Sequence, residues 1–328
     1  MATIGTKLNL LDVAKAMGPD GKPGMIVEQL NKFNVITDRM PVIEGNLPVG
    51  HQTNVRSGLP IVTWRKLGYG VATSKSGYVK IQDSCGMLEG YSEIDKDTAM
   101  LNGNTKAFRM SEDTAFLESM AQSFEKAIFY GDSSADPEKI MGFAPRFNSL
   151  SAENAVNIIN GGGSGSTNTS IWLVGWGDQT VHGIYPKGSQ AGLIHSDLGE
   201  VTLIDSQGGL YQGLRSHYQW KIGLTVKDWR YVVRIANIDV TALKADASTG
   251  ANLIQLMVKA ANKLRGRKLG SPVFYVPTTV MDFLDLQVMN MKNLFLSYKD
   301  FDGNPVLNFR GIPIDKSDSI LETESAVV

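Results

Sequence analysis

Four carboxylates crowd the stretch "MLEGYSEIDKD" (87–97): Glu89, Glu93, Asp95 and Asp97. Two carboxyl groups flanking a bond can do acid and base work, as in glycoside hydrolysis. Lys96 interrupts the set, and Arg65 and Lys66 stand on the neighbouring predicted hairpin, so a salt-bridged or solvated surface is the stronger reading. A second stretch, "GGGSGSTNTSIWLVGWG" (161–177), raises phosphate binding and nucleophilic catalysis. The phosphate-loop pattern fails because 161–169 holds no lysine, and the dinucleotide pattern fails because Ser166 or Asn168 stands where its third glycine belongs. Both patterns also need a following helix, whose N-terminus binds the anion, whereas an apolar strand-like segment follows here. The nucleophile elbow G-x-S-x-G is met at Gly162 and Ser164 and missed at Ser166. A flexible surface loop or hairpin tip is the expectation.

The histidines, His51, His182, His195 and His217, lack the close regular spacing of a zinc site. The one cysteine, Cys85, can form neither an intrachain disulfide nor a cysteine-rich metal site. Arg215, Lys221, Arg230 and Arg234 suggest a modest basic face able to touch a phosphate backbone without reading sequence. No catalytic set, cofactor site or metal site can be assembled from these residues.

The bulk figures agree. With 42% apolar and 20% charged residues, the 328-residue chain is folded rather than disordered. Its 32 basic and 33 acidic side chains leave a net charge of −1, unlike a dedicated nucleic-acid binder, and put no long-range repulsion between copies. No apolar run approaches about 18 residues, so no transmembrane helix is predicted. The N-terminus does not resemble a signal peptide, and a soluble protein made in a cytoplasm is expected.

The elements are long and lack local partners. Two short helical patterns, "LLDVAKAM" and "IVEQLNKF", flank the helix breakers "GPDGKPG" in an arm with too little apolar surface for a core. Residues 60–83 alternate as a long hairpin turning at "SKSG" (74–77). Residues 111–130 form an amphipathic helix capped by Ser111, striped by Phe116, Met120, Phe124 and Ile128, and stopped by Gly131. The parity of 214–226, then of 229–235 after a slip at "VKDW", predicts a second long hairpin with one buried face and one basic, wet face. Helix, strand, helix and a closing strand at 306–314 then describe a compact α/β lobe, with Thr278 or Thr279 as a cap. Such extended devices suit a shell whose copies cover one another better than a compact enzyme.

In this order the pieces resemble the major capsid proteins of tailed bacteriophages, whose fold is shared with the herpesvirus capsid floor. "LPIVTWRKLGYGVATSKSGYVKIQD" resembles the extended loop, "EDTAFLESMAQSFEKAIFYGD" the long spine helix, "WKIGLTVKDWRYVVRIANID" the peripheral strands, and "FRGIPIDKSDSI" the strand–turn segment of the axial domain. The Gly-x-Pro of that last segment usually precedes the strand-rich part and here follows it, which suggests a permuted order. The resemblance implies an α+β fold divided into an N-terminal arm (1–50), an extended loop (51–103), a peripheral domain (104–135 and 195–245), a β-rich segment of uncertain assignment (136–194) and an axial domain (246–328). It also implies hexamers and pentamers tiling an icosahedral head around double-stranded DNA, scaffolding, portal and cement partners, and no membrane. The candidate intersubunit residues are Trp64, Arg65, Lys66, Tyr69, Lys75, Tyr78, Glu89 and Glu93. Some relatives join a lysine covalently to an asparagine; Lys75 and Lys80 lie in the loop, but nothing in the sequence shows that chemistry. A decoration or tail protein, or a β-rich hydrolase using the 87–97 carboxylates, stays open as an alternative.

Overall fold

The computed structural model describes residues 35–100, 105–245, 251–264, 270–290, 296–301 and 304–328. The two helical patterns predicted before residue 35 lie outside these residues. The first half runs α1 (Ile36–Arg39), β1 (Val42–Glu44), β2 (Gly50–Gly58), β3 (Gly77–Asp95), α2 (Lys96–Met100), α3 (Thr105–Tyr130), α4 (Phe143–Arg146), β4 (Ile158–Asn160), β5 (Asn168–Trp176) and β6 (Val181–Tyr185). The second half runs β7 (Leu193–Ile204), β8 (Leu210–Val226), β9 (Val232–Asp239), α5 (Val240–Ala245), α6 (Leu253–Lys263), β10 (Ser271–Val276), α7 (Thr278–Asn290), β11 (Leu296–Phe301), β12 (Asn304–Phe309) and β13 (Ile312–Lys316).

One mixed sheet joins them in the order β11-β12-β13-β10-β5-β6-β8-β3-β2, with β1 on β6, β7 on β8, and β9 between β5 and β4. Every residue of β5 is buried, because both faces of the sheet are covered there. Trp172, Val174 and Trp176 meet Phe124, Ile128 and Phe129 of α3, with Phe143, Phe147 and Tyr275 filling the same core. Ile171 and Leu173 point the other way, into a second core with Leu253, Met257 and Ala260 of α6 and Val280 and Leu284 of α7. The period of two thus feeds alternate residues of one apolar run into two cores.

The spine helix α3 is longer than predicted, at 26 residues or about 39 Å. It begins at Thr105, so Ser111 lies within the helix and not at its start. Its stripe is seated as expected: Met120, Phe124 and Ile128 are buried. Gly131 ends it, its N–H donating to the Ala127 carbonyl at 2.8 Å. A Cβ on Gly131 would sit 2.4 Å from the Ile140 carbonyl and 2.5 Å from that of Ala127, so the residue is required by close approach of the returning chain. Gly131→Ala is expected to cost about 1–3 kcal/mol, read as a shift of the denaturant midpoint of the purified subunit.

Three sequence expectations are corrected. The 226–229 slip is not a hairpin turn: β8 pairs with β3, β6 and β7, whereas β9 crosses to β5 and β4. The hairpin partner of β8 is β7, joined to it through the turn at 205–209. The supposed closing strand is two strands, β12 and β13, joined at Arg310 (φ 52°) and Gly311 (φ 79°). Two successive positive φ values match the tight turn whose twist suits a hairpin, and Gly311 takes that conformation without a Cβ penalty. Finally, α7 begins at Thr278 itself, so neither threonine occupies the position before the helix where a cap sits; both donate their hydroxyls, to Asp318 and Glu322.

The glycine stretch is less free than expected. Gly161 and Gly163 donate to the carbonyls of Ala236 and Asn237 at 2.8 Å, and Gly165 accepts from Ala326 at 2.9 Å. Gly162 and Ser164–Thr167 stand exposed before the chain enters the buried strand β5.

Candidate intersubunit interface

The 19-residue strand β3 has two partners in succession. Its first part pairs with β2, from Gly50↔Ser84 to Gly58↔Gly77. Its second part pairs with β8, from Cys85↔Gly223 to Asp95↔Gly213. One continuous strand of about 63 Å therefore carries the projecting hairpin and anchors it in the sheet. Arg146 secures the crossover by donating to Asp83 Oδ1 at 2.6 Å, while Thr225 Oγ1 donates to Oδ2 at 2.6 Å.

The hairpin is not the one predicted. The ladder stops at Gly58 and Gly77, and residues 59–76 form a strap outside it, so "SKSG" leads into a strand instead of turning. Pro60 has no N–H to continue a ladder. The strap turns at Lys66–Tyr69, where the Tyr69 N–H donates to the Lys66 carbonyl at 3.1 Å. Ser74 Oγ ties the two legs by donating to the Ile61 carbonyl at 2.8 Å.

Trp64 is fully exposed, Val62 is 88% and Leu67 91% exposed, and Leu59, Ile61, Tyr69 and Tyr78 are also outside. An exposed apolar run of this kind marks a binding surface. The basic residues stay beside the aromatics: the Lys66 ammonium lies 5.4 Å from the Tyr69 ring centroid and the Arg56 guanidinium 5.4 Å from that of Tyr78. Hydrogen bonds from Ser76, then Arg56, lower the pKa of the Tyr78 phenol. Trp64, Arg65, Lys66, Tyr69 and Lys75 all fall on the strap, and Tyr78 at its foot.

Glu89 and Glu93 do not join them. They lie on the part of β3 held by β8, where Glu93 pairs with Arg215 at 2.6 Å and Glu89 accepts from Gln219. Tyr91, between them, stacks on His217 at 4.5 Å. Four residues along a strand is about 13 Å, more than the separation at which paired carboxyls hydrolyse a glycoside. Asp95 instead accepts from the N–H groups of Asp97 and Thr98 at the start of α2, and Lys96 pairs with Glu200 at 2.7 Å.

The expected basic face is dispersed as well. Arg215 is on Glu93, Arg230 is paired with Asp228 at 2.6 Å, and Arg234 is buried on Glu324 at 2.8 Å. Thr225, which shares the parity of Arg215 and Lys221 and so belongs to the expected wet face, is wholly buried. Sequence reasoning also passed over Arg109, which clamps Asp197 at 2.7 Å and Ser216 at 2.8 Å and so fixes α3 to the β7–β8 ribbon. The signal was present: Ser216 is the one polar break in the apolar parity of 214–226. At the tip of that ribbon Ile204 and Leu210 are exposed, a second apolar tip.

The comparisons with known proteins follow this geometry. The model of the family described as major capsid protein GP7 matches residues 18–328. Among solved structures, the chain is similar to that of bacteriophage Epsilon15, with 38% identity and a TM-score of 0.78 over 100% of this chain and 99% of that one. It is also similar to the bacteriophage JBD30 capsid, at 10% identity and a TM-score of 0.47 over 87% and 90% of the two chains. A search of curated proteins returns no match. The end-to-end Epsilon15 match means that the order of segments here is shared with that relative. An α+β chain with a long spine helix, a strap outside its own ladder and a match to one family over nearly its whole length belongs to that family: it is a major capsid protein, a structural component of a tailed-phage virion that assembles with copies of itself into the capsid lattice.

Proposed function

We propose that the chain forms hexamers and pentamers of an icosahedral head enclosing double-stranded DNA, and that the 59–76 strap is the principal clamp between neighbours. The single observation that carries this reading is the set of apolar side chains on 59–76 that are exposed in the isolated subunit yet carried on a strand locked into the sheet. Trp64, Tyr69 and Tyr78 are the anchors, since large aromatics dominate interface energetics, and Arg65, Lys66 and Lys75 supply the polar surround. A strap on one copy meeting a different surface on the next is a heterologous contact, the kind that closes into rings. Glu89 and Glu93 contribute at most through the outer edge of their pairs on β8.

The division into arm (1–50), extended loop (51–103), peripheral (104–135, 195–245) and axial (246–328) parts belongs to the same reading, with 136–194 contributing β5 to the shared core. Assembly takes place in the host cytoplasm with scaffolding, portal and cement proteins, and contact with packaged DNA is non-specific. The role is structural, without turnover. Negative-stain microscopy and sizing of the purified protein, alone and coexpressed with phage assembly factors, test this. Closed shells built from six- and five-fold rings are expected. A species that stays monomeric in every condition, or forms only trimers or open tubes, overturns it.

A further inference from the structure

Two imidazoles meet inside the protein at the root of the strap hairpin. His51 stands on β2 opposite Asp83 of β3, and His182 on β6 opposite Thr225 of β8. Their ring centroids are 6.0 Å apart at 77°. His182 is wholly buried, and among the described residues neither of its ring nitrogens, nor Nδ1 of His51, makes a well-formed hydrogen bond, the Gly177 backbone acting on His182 from outside that geometry. Buried polar atoms without partners are uncommon and call for an explanation.

The surrounding charges are few. From β3, Asp83 faces the pair, but its two oxygens are held by Arg146 of α4 and by Thr225. Lys227, just past β8, donates to the Asp178 backbone carbonyl at 2.9 Å, and Asp178 lies in the turn between β5 and β6. Burial, then Lys227, then His51 push the His182 imidazole down to about 4, against the Gly177 backbone and the Asp178 charge. Burial and Lys227 lower His51 also, with Asp83 acting the other way. Both rings are therefore neutral at pH 7, and no uncommitted carboxylate on the adjoining strands stands ready to receive a proton-charged pair.

We propose that the His51–His182 contact is an acid-sensitive latch, holding the root of the strap hairpin against β6 while neutral and releasing it when protonated. For a histidine whose folded pKa is depressed, the closed state is fully favoured above the ordinary value near 6.5. That preference falls as pH drops from there towards the folded value and levels off below it. For His182 alone the opening equilibrium shifts about a hundredfold between pH 7 and pH 4. The latch is a property of the subunit; that its release loosens contacts between neighbours rests on the clamp reading above.

Hydrogen exchange on the full-length soluble subunit from pH 7 to pH 4, corrected for intrinsic rates, tests it. Residues 50–58 and 77–84 should lose about a hundredfold of protection relative to β5 and β10, and His51→Gln with His182→Gln should abolish the difference. Unchanged wild-type protection, or the same loss in the double variant, overturns the latch. If the variant does not fold, the wild-type His182 resonance decides: titration near 6.5 overturns it, and titration well below supports it. A strap deletion that still built shells would sink the clamp reading and leave this exchange result untouched.

Discussion

Removing residues 59–76 and joining Gly58 to Gly77 through a two-residue turn yields a folded, soluble subunit that does not build stable shells. The excision is clean because Gly58 and Gly77 already face each other across the ladder. An Asn-Gly turn closes such a pair with the twist its strands need. The strap holds itself through Ser74 and the Lys66–Tyr69 turn, and its large side chains lie outside every core cluster of the subunit. Subunit stability should therefore move by less than about 1 kcal/mol. What goes is the apolar surface of Ile61, Val62, Trp64 and Leu67, which is left facing water unless a neighbour covers it. Trp64→Ala alone should weaken each contact by about 2 kcal/mol or more, a penalty repeated at every subunit of a shell. Sedimentation velocity and microscopy of the deletion variant give the answer, and shells of normal size and yield would end the clamp hypothesis.

The strap shows what can and cannot be read from a sequence of this kind. Alternation at Val62, Trp64, Tyr69 and Val71 is visible, and so is the absence of anything nearby to cover it. Alternation, however, reports which side chains share a face and says nothing about whether a ladder partner exists. Pro60 and the facing glycines at 58 and 77 end the pairing, and in the clamp proposal a lattice neighbour, not a strand, supplies the missing half. The β8–β9 error has the same origin. Parity along 214–226 was legible because burial on α3 imposes it, but the partner of each strand depends on residues far away in the chain. Local signals that needed no distant partner held well: the spine stripe, the Gly131 stop, and Leu253, Met257 and Ala260 on α6. Least legible was the carboxyl end, "LETESAVV" (321–328), whose short sequence carries no local pattern that assigns it a place. In the fold it pairs with Asn168 through Glu324, and Val327 is buried against Asn237.

That tail carries the second large effect, on stability instead of assembly. Glu324→Ala should destabilise the subunit by about 3–5 kcal/mol, because it leaves Arg234 charged and buried without a counter-ion. Arg234 and Glu324 are each 5% exposed and 2.8 Å apart. The arginine also donates to Ser170 Oγ at 3.0 Å and to the Phe147 carbonyl at 2.8 Å, and lies 5.0 Å from the Trp172 ring centroid. Glu324 accepts from the Tyr130 hydroxyl and from Ser170, so one carboxylate gathers the end of α3, strand β5, strand β9 and the tail. Burial first, and then the charge of Glu324, raise the Tyr130 pKa and keep its phenol a donor. Glu324→Gln keeps the shape and some hydrogen bonds but not the charge, and should fall between wild type and alanine. Replacing both partners, Arg234→Met with Glu324→Leu, removes the stranded charge and should recover most of the loss, since a buried ion pair holds little net stability over a packed apolar pair. Denaturant unfolding of the four proteins decides between the accounts. If alanine costs no more than a surface substitution, the network is ornamental; if the double apolar variant is as weak as the single one, Ser170 and Tyr130 need the carboxylate itself, and the tail is held by hydrogen bonding rather than by charge.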